Sequence, residues 1–121
     1  MNNRTKGYEK EEAVCGFLKD RGYRIIERNF NCRHGEIDII ARKDIYICFV
    51  EVKYRNSDKS GLPEEAVTLS KIKKICKTAV YYLYSHREYY AFQMRFDVAA
   101  VDDKEIRYYE NAFEFIGTCN Y

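Results

Sequence analysis

Two neighbouring segments of the chain, "GEIDIIA" (35–41) and "FVEVKYR" (49–55), carry charged residues at alternate positions. Successive side chains of a β-strand point to opposite faces, so Glu51 and Lys53 would share one face of their strand. An acid and an amine at this spacing could bind a cation or move a proton. They could also belong to a structural ion network on a half-solvated hairpin, which is the commoner fate of such charges.

A hairpin between these segments would bring their charges together. If the chain turns at residues 44–45, Asp38 lies opposite Glu51. Two positions along, Glu36 lies opposite Lys53, and all four side chains share one face. Opposed carboxylates repel, and a divalent cation such as Mg²⁺ can offset that repulsion because it is bound through one or two carboxylates. Lys53 could then orient or deprotonate a metal-bound water, or stabilise charge on a phosphate.

A further acidic residue points toward the same region from a helix. Glu11 precedes Val14, Cys15 and Leu18 at the spacing of one helical face, so it lies on the apolar stripe that faces the sheet. An acid on such a stripe is unusual unless it is paired. We therefore expect Glu11 to join the carboxylate cluster. The alternative is a solvated first-turn glutamate that the helix dipole favours.

The elements that must position these residues follow from hydrophobic periodicity. Helical spacing predicts helices over 9–21 and 70–84, and β-branched and aromatic runs predict strands over 23–30, 36–41, 45–54, 93–101 and 105–113. The order α, β, β, β, α, β, β in 121 residues indicates one α/β domain spanning residues 1–121. A helical crossover must join the third strand to the fourth, whereas the other strands form hairpins, so we expect a mixed sheet flanked by helices.

The amino-acid composition limits the kinds of protein that this chain can be. A net charge of +2 is too small to indicate a nucleic-acid partner without a favourable distribution of charge. Five widely spread cysteines without a Cys-x-x-Cys pair argue against a disulfide framework or a structural zinc site. No apolar signal segment or membrane-length run occurs, so we expect a reduced, cytoplasmic protein.

Together these residues resemble a known nuclease motif. Asp38, followed by Glu51, Val52 and Lys53 on the next strand, resembles the PD-(D/E)xK motif, and Glu11 is similar to the N-terminal helix glutamate of archaeal Holliday junction resolvases. The stretches "GFLKDRGYRIIERNF", "HGEIDIIA", "FVEVKYR" and "RFDVAAV" resemble the YraN-type family of bacterial endonuclease-like proteins. This resemblance covers nearly the whole chain.

The resemblance implies a restriction-endonuclease-like fold and a metal-dependent nuclease site. The implied catalytic residues are Glu11, Asp38, Glu51 and Lys53, with Glu36 as an accessory. Asp38, Glu51 and the Val52 carbonyl would hold Mg²⁺ or Mn²⁺. Resolvase-like nucleases place a polar residue of the following helix near the phosphate, and the resemblance gives that position to Lys71.

Basic residues after the hairpin suggest how nucleic acid would bind. The loop "RNSDKSGLPEE" and the lysine-rich second helix are expected to contact backbone phosphates, through Arg55, Lys59, Lys71 and Lys74. No base-reading element is evident, so we expect structure-selective cleavage of DNA rather than sequence reading, with DNA a better candidate than RNA. A two-fold substrate would favour a homodimer.

Two alternatives remain open at this stage. One is a catalytically weak nucleic-acid-binding module of a larger DNA-processing assembly, and the other is a protein whose hairpin charges only keep an edge strand soluble. Asp97, two residues after Arg95 on one strand face, is interpreted as a structural partner of that arginine rather than as a metal ligand.

Overall fold

The structure, a computed structural model, describes residues 3–54 and 67–117. They form two long helices, α1 (Asn3–Asp20) and α2 (Leu69–Ser85), and five strands, namely β1 (Arg24–Cys32), β2 (Gly35–Lys43), β3 (Tyr46–Tyr54), β4 (Gln93–Val101) and β5 (Ile106–Phe113). A single 3-10 turn, Arg87–Tyr89, follows α2. The predicted order of elements is confirmed, and the loop between β3 and α2 lies outside the described residues.

The strands form one mixed sheet in the order β1-β2-β3-β4-β5. Only β3 and β4 are parallel, and α2 lies between them in the chain. The other neighbours are antiparallel. The predicted class, a mixed sheet flanked by helices, is confirmed. A parallel pair cannot be joined by a tight turn, which is why the crossover carries a helix.

The two helices cover opposite faces of the sheet. Val14, Cys15 and Leu18 of α1 pack with one set of strand residues, which includes Val50 of β3. Ile75, Cys76, Ala79, Tyr82 and Leu83 of α2 pack with the alternate set, which includes Phe49. Neighbouring residues of β3 therefore enter different cores, as the alternation of side chains along a strand requires.

The register of the β2–β3 hairpin agrees with the sequence prediction. Lys43 pairs with Tyr46, and the pairing continues to Ile39 and Val50, so the two-residue turn lies at 44–45. Asp44 takes a positive φ of 53° there, a conformation that Asp tolerates better than most residues. This register points the Glu51 side chain toward the α2 face of the sheet.

Element boundaries differ from the predictions mainly at α1 and at the first turn. α1 begins at Asn3 rather than at Glu9. The β1–β2 turn needs only residues 33 and 34 rather than a five-residue loop, because Cys32 already pairs with Gly35. Gly22 lies just after the end of α1 and has a φ of +88°, which favours glycine, and the Tyr23 N–H donates to Leu18 O at 3.0 Å.

Candidate metal centre and active site

The candidate site lies where the pairing of β2 and β3 ends. Beyond the Ile39–Val50 pair, the Val52 N–H donates to Asp38 Oδ2 at 2.8 Å. The Asp38 side chain thus occupies the position at which a backbone acceptor of β2 would continue the ladder. This contact fixes the Asp38 carboxylate beside the Glu51–Val52 segment.

β2 is irregular at Asp38. Ile37 and Ile40 both pack in the core on the α2 side, although strict alternation would separate them. Asn29 of β1 stands between the Arg28–Ile39 and Phe30–Ile37 pairs and has a positive φ of 53°. Such irregularities re-aim side chains in a sheet. The local distortion is therefore centred on the aspartate that the motif singles out.

Electrostatics sets Asp38 apart from ordinary aspartates. Burial, reinforced by the negative charge of Glu51, raises the pKa of Asp38 to about 7, and the Val52 N–H opposes this rise only in part. The charges of Glu11 and Glu36 act in the same direction as Glu51. A nearby cation would lower this pKa again, because it compensates the negative charge of the ionised form.

Two lysines face the Glu51 carboxylate, which is only 6% exposed. Lys71 Nζ, from the first turns of α2, lies 2.7 Å from Glu51 Oε1, and Lys53 Nζ lies 3.9 Å from the same oxygen. Burial and the neighbouring Lys71 ammonium lower the pKa of Lys53. Burial is the largest single influence on Lys71 and acts to lower its pKa. The hydrogen bond to Glu51 and the negative charges of Glu51 and Asp38, with the contact to Lys53, together outweigh it, so the pKa of Lys71 is raised.

Glu11 reaches the same region from α1. Its side chain is 15% exposed, and its pKa is raised by burial and by the charges of Glu36 and Glu51, against the opposing effects of Asn29 and Arg28. Glu11 Oε1 is buried without a hydrogen-bond partner among the described residues, since Arg28 Nη2 is 3.9 Å away. Its neighbour Glu12 is exposed and takes the close contact to Arg28, at 2.6 Å.

The other residues that the sequence predicted for the site are exposed or lie outside the described residues. Glu36 is exposed and pairs along the strand with Asn31 of β1. The predicted position of Glu36 opposite Lys53 lies beyond the paired part of the hairpin, because the β2–β3 pairing stops at Ile39 and Val50. Lys74 is exposed on α2. Arg55 and Lys59 lie outside the described residues.

The donor set suits a hard divalent cation with a largely water-filled coordination sphere. In the described part of the chain, no three Asp, Glu, His or Cys side chains converge closely enough to hold a metal ion by themselves. Mg²⁺ needs no such cage, because it binds through one or two carboxylates and keeps several waters. The unpartnered Glu11 oxygen and the reluctantly ionised Asp38 are groups that a cation or its water shell would satisfy.

Sequence reasoning missed a buried polar network behind this site, although the Arg95–Asp97 pair itself was predicted and is confirmed. Arg95 Nη2 lies 2.9 Å from Asp97 Oδ2 and 2.6 Å from the Tyr23 hydroxyl. Asp97 also accepts from the Tyr108 hydroxyl and from the Asn111 N–H. The available signal was an acid in the apolar run "FDVAAV", which must be fully paired if it is buried.

Comparison with known proteins places the chain in a family. Residues 10–101 match the family described as "Uncharacterised protein family UPF0102". The chain belongs to UPF0102. This confirms the family-level part of the predicted YraN-type resemblance, whereas the nuclease part remains a prediction.

Relatives within UPF0102 align over nearly their full length. A UPF0102 protein of Lachnoclostridium phytofermentans is 45% identical over 118 residues, which are 98% of this chain and 100% of that protein. One from Thermodesulfovibrio yellowstonii is also 45% identical, over 88% of this chain and 94% of the relative. The crystal structure titled SSO0001 has a TM-score of 0.40 at 20% identity over 87% of this chain and 48% of that one, a similarity too low to carry an argument.

No helix among residues 3–54 and 67–117 is both long enough and apolar enough to span a bilayer.

Proposed function

We propose that this UPF0102 protein is a metal-dependent phosphodiesterase that cleaves DNA. The observation that carries the proposal is the convergence of Asp38, Glu51, Lys53 and Lys71 at the point where β2 and β3 separate, with the Val52 N–H holding the Asp38 carboxylate at 2.8 Å. Carboxylates that repel each other cost stability in a fold that does not use them. A purely structural hairpin has no need of this arrangement.

Asp38 and Glu51 would hold Mg²⁺ or Mn²⁺, with the Val52 carbonyl as a further oxygen ligand. When bound, such an ion supplies Lewis acidity and a water of lowered pKa. Lys53, whose pKa is lowered, is suited to accept or direct a proton of the attacking water. Lys71 keeps its positive charge and would stabilise negative charge that develops on the phosphate.

Glu11 would assist from α1. Its buried, unpartnered Oε1 is suited to accept a hydrogen bond from a water of the ion's hydration shell. Glu36 is placed to modulate this carboxylate group through its charge alone, since that charge raises the pKa of both Asp38 and Glu11. Arg55, Lys59 and Lys74 would hold the phosphate backbone, and a two-fold substrate would favour a homodimer.

The test is a cleavage panel of duplex, flap, junction and single-stranded DNA, with RNA counterparts, in Mg²⁺ or Mn²⁺. Glu51→Gln and Lys53→Ala should each lower cleavage by at least about 100-fold, the usual effect of losing a group that acts on the proton or the developing charge. Glu105→Gln and Arg107→Ala, exposed charges at the β4–β5 turn and in β5, serve as matched controls. Cleavage that survives both site substitutions would defeat the proposal.

A second candidate is a nucleic-acid-binding module that turns over little or no substrate. It is favoured by the direct contact of Lys71 with Glu51, which occupies a carboxylate that a metal would need. Calorimetric titration with Mn²⁺ separates the two candidates. The enzyme should show Mn²⁺ binding that Asp38→Asn abolishes, whereas the module should bind DNA without any specific Mn²⁺ binding.

A further inference from the structure

The outer face of α2 carries a groove away from the candidate metal centre. Its volume is about 580 Å³, and its lining includes Lys73, Lys77, Tyr81 and Tyr84 of the helix with Phe115 and Ile116 from the segment after β5. Tyr81 and Tyr84 are 43% and 54% exposed, although α2 has already buried its apolar face against the sheet. These two rings therefore lie at the margin of the core and keep much of their surface open to solvent.

The charge of the groove restricts what can occupy it. Two lysines and His34 contribute to its lining, and the described lining contains no carboxylate. His34 lies against Tyr81, with ring centroids 6.0 Å apart, and Phe30 supports the same ring at 6.2 Å. Tyr81 is thus held in place by its neighbours. A partner that complements this surface is anionic and offers flat, apolar faces.

The groove is connected to the candidate metal centre by a row of side chains. Lys71, Lys74, Lys77, Tyr81 and Tyr84 follow one another at spacings of three or four residues, so they are neighbours along one side of the helix. The row begins at the lysine that contacts Glu51. At the rise of an α-helix, Tyr81 lies about 15 Å further along the axis than Lys71.

A positively charged track that leads to exposed aromatic rings is the arrangement by which proteins bind single-stranded nucleic acid. We propose that this groove binds the unpaired strand of a nucleic-acid substrate, with Lys74 and Lys77 along its phosphates and Tyr81 and Tyr84 stacked on its bases. The inference deepens the proposed function and rests on it for the class of substrate. If the groove binds an unpaired strand, the substrate that the protein cleaves is DNA that carries an unpaired arm, such as a flap.

The test measures binding without cleavage. Fluorescence anisotropy in EDTA would follow a labelled 12-nucleotide oligo(dT), an oligo(U) of the same length and a DNA hairpin of the same charge. We expect the single strands to bind more tightly than the hairpin. Tyr84→Leu and Tyr81→Leu should each weaken single-strand binding by about tenfold, the effect of losing one stacking platform.

Tyr84→Phe is the matched control, because it keeps the ring and should bind within about twofold of the native chain. If Tyr84→Leu binds oligo(dT) as the native chain does, or if both tyrosine substitutions weaken the hairpin equally, the inference is overturned. It is also overturned if Tyr84→Leu changes the sedimentation of the protein and leaves oligonucleotide binding intact, since the groove is then an interface between copies.

The same assay keeps this inference apart from the proposed function. Asp38→Asn should bind oligo(dT) like the native chain while it loses Mn²⁺ binding. If the native chain cleaves nothing but binds single strands in a Tyr84-dependent way, the nuclease proposal fails and the strand-binding groove stands. If it cleaves DNA without any dependence on Tyr81 or Tyr84, only the groove assignment fails.

Discussion

At the scale of single residues, the candidate site holds two carboxyl groups, of Asp38 and Glu51, that repel each other when both are ionised. Burial and the negative charge of Glu51 beside it raise the pKa of Asp38 to about 7. Glu51 in turn is held by Lys71. In the absence of a cation, these side chains cost the fold some of its stability, and that cost can be measured.

Replacing Asp38 by Asn should stabilise the metal-free protein at high pH. The folded pKa of Asp38, about 7, lies above its ordinary value of 3.8, so the stability that its protonation supplies is complete below about pH 4 and is lost as the pH rises through 7. Asn stays neutral and can still accept from the Val52 N–H. Urea unfolding should show a gain of up to about 4 kcal/mol at pH 8.5 and almost none at pH 4.

Exposed Glu105 provides the control for this prediction, because Glu105→Gln replaces a carboxylate outside the site and should give no comparable gain at pH 8.5. A gain for Asp38→Asn that does not depend on pH would show that the aspartate is not the titrating group.

Replacing Lys71 by Met should destabilise the protein through Glu51. The substitution keeps the length of the side chain but leaves a buried carboxylate without its partner at 2.7 Å, which costs about 1 to 3 kcal/mol. Added Mn²⁺ should recover part of this loss in thermal unfolding. Lys74→Met, an exposed position on the same helix, should change stability little. Equal effects at the two positions would contradict the assigned contact.

At the scale of elements, the network around Asp97 holds β4 to its surroundings. Asp97 is fully buried and joins Arg95 to the Tyr108 hydroxyl and Asn111 N–H of β5, while Arg95 reaches Tyr23, which follows α1. This network lies on the α1 side of the sheet. It is therefore a structural support for the strand that pairs with β3, and not a second chemical site.

Asp97→Ala should cost about 3 to 5 kcal/mol, because it takes the closest carboxylate from the buried Arg95 guanidinium and leaves it with the exposed Glu110 carboxylate at 3.7 Å. Tyr108→Phe removes one hydrogen bond and should cost about 1 kcal/mol. Chemical unfolding measures both. Mn²⁺ affinity of the folded Tyr108→Phe variant should equal that of the native chain. Loss of metal binding in this variant would mean that the network is part of the site.

How much of the fold and of the candidate site could be predicted depends on how far apart in the sequence the contacting residues lie. The β2–β3 register follows from a two-residue turn and alternation, which are local, so the proximity of Asp38 and Glu51 could be predicted. The contact of Lys71 with Glu51 depends on how α2 packs after the crossover, and local spacing contains no such information. The prediction that Glu36 meets Lys53 was wrong because regular pairing was extended beyond the point where the strands separate.

At the scale of the whole molecule, charge distribution matters more than the total of +2. The lysines of α2 form a row along one side of the helix that begins at Lys71, beside Glu51. Nucleic-acid binding should therefore depend on salt through the contacts of these few lysines with phosphates. Removing one of them tests this directly.

Lys74→Ala should weaken oligo(dT) binding at low salt and reduce the slope of log K against log salt by about 0.7, the value expected for one lost phosphate contact on a single strand. Anisotropy titrations between 50 and 300 mM NaCl, without divalent metal, measure the slope. Arg107→Ala in β5 should leave the slope unchanged. A slope that is the same for Lys74→Ala and the native chain would remove this lysine from the binding surface.

The parallel pairing of β3 with β4 also has a consequence for the order of assembly. β1, β2 and β3 are joined by two-residue turns, whereas β4 can dock only after a long loop has closed, which slows that step. We expect the first three strands to form early and β4 to join later, followed by β5, which pairs with β4. Val98→Ala in β4 should then accelerate unfolding and leave the refolding rate nearly unchanged in stopped-flow experiments. Asp38 and Glu51 would then meet before Lys71 of α2 reaches Glu51, so a chain that has not yet docked β4 would lack part of the site that the proposed nuclease needs.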